Sequence, residues 1–176
     1  NPKHFEIGNP AEFVHKYFGF TNFYTSVSTA CSSGIKAFSI AKELLEKEIA
    51  RTVLVIGVDS IAKLPVYGFD SLEILSGEPA NPFSKNRCGI NIGEGAAAFI
   101  VSKEGEGIEI TGIGETTDYY HSTTPDPEGI EAEKAIRLAL GEMKPEDIDY
   151  INLHGTGTQA NDLMEARAVY NIFGAK

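Results

Sequence analysis

The sequence predicts an α/β fold with largely parallel strand pairing, on three observations. Apolar, β-branched runs alternate along the chain with segments whose apolar residues recur at helical spacing. One run, TVLVIGVD at 52–59, is apolar almost without interruption, which suits a strand covered on both faces. The succession of strand end, loop and helix also occurs twice, once before and once after the short charged segment KEGEG at 103–107. With 176 residues, 42% of them hydrophobic, the chain can bury one core or two small ones without covalent staples.

In chain order, FYTSVSTA (23–30) has strand composition. IKAFSIAKELLEKEIA then places Ile35, Phe38, Ala41, Leu45 and Ile49 on one helical face. TVLVIGVD is the next strand, followed by a loop-rich region with Pro65, Pro79 and Pro82. INIGEGAAAFIVS (90–102) reads as a glycine-punctuated strand or hairpin arm. KEGEG sets the expected boundary, dividing the chain into 1–104 and 105–176. Beyond it, IEITGIGETT is a strand, DYYHSTTPDPEG a loop, and residues 130–143 a helix with Ile130, Ile136, Leu140 and Met143 as its apolar positions. IDYINLHG (148–155) is a strand running into glycine. Residues 161–174 form a helix with Leu163, Ala166, Tyr170 and Phe173 on one stripe and Gly174 as its stop.

Composition excludes several classes of function. Cys31 and Cys88 are far apart, with no CxxC and no Cys/His cluster, so neither a disulfide framework nor a metal site is expected. A net charge of -10 argues against nucleic acid as a partner, because neutralising phosphates needs a basic surface. Lys85 and Arg87 are expected to be solvated loop cations. No apolar window approaches the roughly 18 residues of a membrane span, and NPKHFEIGNP lacks the pattern of a signal peptide, so a cytoplasmic location is expected.

Cys31 and His154 each stand where a strand ends and a loop leads into a helix, which is where sites form in open α/β sheets. A cysteine at a helix N-terminus meets the positive end of the macrodipole and unpaired N–H groups, an environment that activates the sulfur as a nucleophile and can bind an oxyanion. Packing is the alternative for Cys31, and a satisfied core histidine the alternative for His154. Cys88, with no helix behind it, is read as structural. The hydroxyls of Thr156 and Thr158 suit a polar ligand, although loop threonines commonly bond to their own backbone. Asp162 and Glu165 form D-x-x-E ahead of an apolar stripe, the pattern of a helix capping box. GINIGEGAAA lacks a following Lys-Ser/Thr and leads into a strand, so it is not a phosphate loop. His121 is expected on a surface loop.

Four motifs, STACSSG, NPFSKNRCGINIGEGAAAFIVS, DYYHSTTPDPEG and HGTGTQANDLMEARA, occur in the order and rough spacing of the elongating β-ketoacyl-acyl carrier protein synthases and the ketosynthase domains of polyketide synthases. The resemblance runs from about residue 17 to residue 174. It implies a thiolase-like layered αβαβα fold, incomplete here: the later part of the first half and the start of the second. By similarity Cys31 accepts an acyl group from a carrier-protein thioester, with its own N–H in the oxyanion hole, and His154 matches the first of two catalytic histidines. Thr156 and Thr158 match threonines that contact a phosphopantetheine arm, Phe69 a phenylalanine near the acyl pocket, and His121 with Thr123 a loop at the site entrance. The family's glutamate at Glu165 pairs with a lysine further along, and Asp162 lies beside it.

The activity so implied is elongation of an acyl thioester by decarboxylative Claisen condensation with a malonyl thioester. It needs no metal or separate cofactor, takes acyl carrier protein as partner, and is expected from a homodimer. Fatty-acid and polyketide service are both compatible with the motifs. Two other readings stay open: a non-catalytic partner subunit of a synthase, and a Cys-His thioesterase. Three departures from the family pattern stand out. Cys88 replaces an acidic residue and should alter a loop hydrogen bond. Gln159 replaces a common proline, which implies a less rigid loop after His154. The family's lysine, second histidine and gating loop are not within the 176 residues, and none of His4, His15 and His121 has the second histidine's context, so the isolated chain is expected to be inactive.

Overall fold

The computed structural model describes residues 6–175, so His4 lies outside the described residues. They form two units that interleave in sequence. One takes the chain up to Ser60 and then Glu94–Ile108; the other takes Ile61–Gly93 and the chain from Glu109 onward. This packing differs from a linear division at 104/105, because residues 61–93 bond with the chain around Gly157 and Asp162.

The first unit holds α1 (Asn9–Tyr17), α2 (Ser33–Glu46), β1 (Thr52–Asp59) and β2 (Gly95–Ser102). The strands pair antiparallel over their whole length, from Thr52 opposite Ser102 to Asp59 opposite Gly95. Helix α2 packs on this ribbon through the predicted face: Ala41 and Leu45 are buried, as is Val55 on β1, and the Phe38 and Phe99 rings meet edge-on at 5.4 Å. Ile35 and Ile49, the ends of that stripe, are exposed. Ile49 lies past the helix, where Glu48 turns left-handed (φ +56°) and the Ile49 and Glu48 N–H groups return to the Leu44 and Leu45 carbonyls in a Schellman stop.

Two expectations fail in this unit. FYTSVSTA is not a strand, and the only paired sheet among the described residues is antiparallel. Composition marks a segment that suits a ladder but does not supply a neighbour. The partner of β1 is the returning segment β2, so the ribbon is covered on one face by α2 while Leu54 and Val58 stay exposed.

The second unit holds α3 (Lys63–Ser71), α4 (Ile130–Leu140), a 3-10 turn (Pro145–Asp147) and α5 (Gln159–Phe173). Helix α3 was not expected, since Pro65 near its start read as loop, and the sequence reading assigned no element to α1. Pro10 and Pro65 both fall in a first turn, where a missing N–H breaks no helical bond. The predicted strands at 108–117 and 148–155 run without a ladder. The first of them instead lies along α4: a Cβ at Gly112 or Gly114 would stand 2.0 Å from the Ala139 carbonyl oxygen or 1.9 Å from that of Ala135. Glycines two apart share one face of an extended chain, which is why backbone meets helix there. Helix α5 stops at Gly174 as expected, but its buried positions are Asp162 and Ala168, while Leu163 and Tyr170 of the predicted stripe are exposed.

Candidate functional site

Cys31 is exposed, one residue before the N-cap of α2. Hydroxyls shape its turn. Ser32 Oγ donates to the Thr29 carbonyl at 2.8 Å, Ser33 Oγ to the Ala30 carbonyl at 2.6 Å, and the Thr29 N–H donates to Ser33 Oγ at 2.8 Å. Ala30 sits at φ +53°, a left-handed conformation that costs a residue with a Cβ on the order of 1–2 kcal/mol. Such strain persists where neighbours over-determine it, as these bonds on both sides of Ala30 do. The first turn of α2 carries no acidic side chain, so nothing local offsets the positive helix end beside the sulfur.

His154 begins a turn whose backbone is held by two carboxylates of α5. Glu165 accepts the N–H of His154 at 2.5 Å and of Gly155 at 2.9 Å, and Asp162 accepts the N–H of Gly157 at 3.1 Å. The predicted capping box is therefore corrected. The N-cap of α5 is Thr158, which puts Asp162 at the fourth residue of the helix, still in its first turn, and Glu165 further in, both reaching back to the preceding loop. Gly157 has φ +72°, and a Cβ there would lie 2.5 Å from the Gly89 carbonyl oxygen, while the Gly89 N–H donates to the Gly157 carbonyl at 3.0 Å. Thr156 and Thr158 bond to each other, Oγ1 to Oγ1, at 2.8 Å. The His154 ring side is exposed, so the turn is fixed while its imidazole is presented.

Loop 76–91 closes on this turn. The Phe83 N–H donates to Asp162 Oδ2 at 2.7 Å, although Phe83 itself is left-handed at φ +59°. Arg87 is not a solvated cation: its side chain is 10% exposed, that of Asp162 1%, and Nε lies 3.5 Å from Asp162 Oδ2 without a hydrogen bond of its own. Its Nη1 donates to the Ser84 carbonyl at 2.9 Å and its Nη2 to Gln159 Oε1 at 2.6 Å. Gln159 thus ties loop 76–91 to the start of α5. Lys85 is exposed as expected. Cys88 Sγ lies 3.0 Å from Ser76 Oγ, whose own hydrogen goes to the Glu78 carbonyl at 2.6 Å, so the thiol is the donor.

Phe69 is half-buried on α3. His121 and Thr123 bond each other: the Thr123 N–H donates to His121 Nδ1 at 3.2 Å, which leaves Nε2 to carry the proton of a neutral ring. His154, Thr156, Thr158, Asp162 and Glu165 thus meet at one loop–helix junction of the second unit, with His121, Thr123 and Phe69 elsewhere in that unit, and Cys31 belongs to the first. Arg87 and Phe83 are the participants that sequence reasoning missed, since their partners lie 72 to 79 residues away. Among the described residues no group of three His, Cys, Asp or Glu is placed to hold a metal ion, and no helix is long and apolar enough to cross a membrane.

Comparison with known proteins matches residues 10–106 to the beta-ketoacyl synthase N-terminal domain and residues 108–176 to the beta-ketoacyl synthase C-terminal domain. The chain is 32% identical over 162 residues to 3-oxoacyl-[acyl-carrier-protein] synthase 2 of Staphylococcus aureus, covering 83% of this chain and 40% of that protein. Its fold superposes on the ketosynthase ApeO in complex with its chain length factor ApeC from Xenorhabdus doucetiae with TM-score 0.91 and 40% identity, over 96% of this chain and 43% of that one. It also superposes on the AntDE:AntF complex, a type II PKS acyl-carrier protein with its ketosynthase bound to the hexaketide, with TM-score 0.84 and 28% identity over 97% and 46%. The chain spans about two fifths of the length of the curated relatives it matches.

Proposed function

The chain belongs to the beta-ketoacyl synthase family, with the thiolase-like ketosynthase fold in part, and we propose that the complete protein elongates acyl thioesters by decarboxylative Claisen condensation. The observation that carries this reading is the succession of the two domain matches, Cys31 lying within the span of the first and His154 within that of the second. On this reading the halves are residues 1–104 and 105–176.

Cys31 attacks the carbonyl of an acyl thioester borne by acyl carrier protein, and its backbone N–H helps hold the oxyanion. Collapse of the tetrahedral intermediate expels the phosphopantetheine thiol and leaves an acyl-cysteine. A thiolate suits the task because it is both nucleophile and leaving group. A malonyl thioester then loses carbon dioxide, and its enolate oxygen accepts a hydrogen bond from the neutral imidazole of His154. The enolate carbon attacks the acyl-cysteine carbonyl and releases the Cys31 thiolate. Loss of carbon dioxide drives the carbon–carbon bond, so the cycle calls for no metal or separate cofactor. Thr156 and Thr158 receive the phosphopantetheine arm, Phe69 borders the acyl chain, and His121 and Thr123 flank the entrance. Acyl carrier protein is the partner, a homodimer the assembly and the cytoplasm the location. The similarity to a synthase named for acyl carrier protein and to a ketosynthase–carrier complex supports the choice of partner.

The test uses the complete protein with acyl and malonyl carrier protein. Condensation is expected, with Cys31→Ala abolishing acyl loading and His154→Ala abolishing condensation while loading persists. Free acid released without a malonyl donor would instead establish the thioesterase reading, and absence of loading the non-catalytic partner. The 176-residue chain alone is expected not to turn over, since it lacks the second histidine and the lysine that the family reaction uses.

A further inference from the structure

Gln159 takes the first position of α5, where the helix asks nothing of a side chain because first-turn N–H groups have no partner within the helix. Its amide oxygen is instead the acceptor, at 2.6 Å, for Nη2 of the nearly buried Arg87. That guanidinium is rigid and planar, so two acceptors aim all of it: Gln159 Oε1 on Nη2 and the Ser84 carbonyl on Nη1. So aimed, its Nε faces Asp162 Oδ2 at 3.5 Å. Asp162 in turn holds the N–H groups of Phe83 and Gly157, and the Gly89 N–H closes on the Gly157 carbonyl.

We infer that Gln159 is a positioning residue, which orients Arg87 against Asp162 and thereby latches loop 81–89 onto the turn that presents His154. The latch rests on geometry within one unit; its catalytic consequence rests on the proposed function. Removing the Gln159 amide leaves the Ser84 carbonyl as the one protein acceptor holding the outer nitrogens of the fork, and a guanidinium held at one corner is free to turn its Nε away from Asp162. The glycine contacts downstream, Gly89 to Gly157, then lose the carboxylate that fixes one side of them.

The complete protein carrying Gln159→Pro, Gln159→Ala or Gln159→Glu tests this. Proline at a first helical position keeps the helix start while deleting the acceptor, and glutamate keeps an acceptor for Arg87. Amide hydrogen exchange at Gly89 and Gly157 is expected to be about tenfold faster in the proline and alanine variants and close to wild type in the glutamate variant. Amides of α2, in the other unit, serve as the reference and should not change. Unaltered exchange at both glycines in Gln159→Pro overturns the latch. In single-turnover assays the same variant should load acyl groups onto Cys31 at the wild-type rate and condense about tenfold more slowly. Equal losses in both steps overturn the positioning role. A wild-type protein that does not condense refutes the proposed function, and the exchange measurement then still decides the latch.

Discussion

The carboxylate of Glu165 is shared between the backbone N–H groups of His154 and Gly155, one oxygen to each, at 2.5 and 2.9 Å. A helix side chain thus sets the direction in which the chain leaves His154, and with it the direction of the imidazole. Substituting Glu165→Ala removes both acceptors. Bonds of this kind to a charged group contribute about 1.5–3 kcal/mol each, so condensation should fall at least about tenfold. Glu165→Gln, which keeps one acceptor oxygen, should retain an intermediate rate. Intact-mass measurement of acyl-Cys31 should show loading unimpaired in both variants; loss of loading would contradict the assignment of Glu165 to the His154 turn.

Asp162 satisfies the Phe83 and Gly157 N–H groups and faces the nearly buried Arg87. Asp162→Ala strands a buried cation and two donors and should destabilise the protein by about 3–5 kcal/mol. Replacing both charges, Arg87→Met with Asp162→Asn, should cost less than the single alanine change. Urea unfolding of the three proteins compares them.

At Gly157 a methyl group meets two penalties, the left-handed backbone and a carbonyl oxygen at 2.5 Å. Gly19, the left-handed stop of α1 at φ +66° with open space around it, meets only the first. Gly19→Ala should therefore cost about 1–2 kcal/mol and Gly157→Ala at least about 3 kcal/mol. The difference between their urea midpoints measures the close approach of Gly89.

Both cysteines are exposed, so accessibility alone would give them similar rates of alkylation. The helix terminus beside Cys31 should make it react with iodoacetamide near pH 7 several-fold faster than Cys88. Peptide mass spectrometry over a time course gives the two rates, and equal rates would favour the non-catalytic partner.

Hydrogen bonds from Arg137, and next from Asn171, hold the Glu133 carboxyl below its ordinary value of 4.5. A carboxylate so lowered contributes stability that is present above its unfolded value and is lost as pH falls through the lower folded one. Because Asn171 lies on α5 and Glu133 on α4, acid should loosen the contact between these helices. Glu133→Gln should flatten that acid limb. The dependence of α5 amide protection on pH, between neutral and strongly acid solution, checks this.

What could be read from the sequence was local in origin. Phe38, Ala41 and Leu45 announce the face of α2 by their spacing alone, and Gly174 announces the end of α5. The strand expected at 23–30 failed because a ladder needs a neighbour that composition cannot name, and α3 was hidden by a proline that its first turn tolerates. The positions of Cys31 and His154 beside helix starts were legible. The support beneath His154 was not: Asp162 and Arg87 have partners 72 to 79 residues away, and Glu165, which matched a capping pattern, reaches back past the helix start to the His154 turn.

The interleaving of the two units imposes an order on synthesis. Phe83 and the Asp162 carboxylate that receives its N–H are 79 residues apart, so at about 5–20 residues per second the ribosome delivers the second roughly 4–16 s after the first. Throughout that interval the loop carrying Arg87 has been made and has nothing to close upon. The platform under His154 is therefore assembled late on the ribosome, after the helix and ribbon around Cys31 have already been translated.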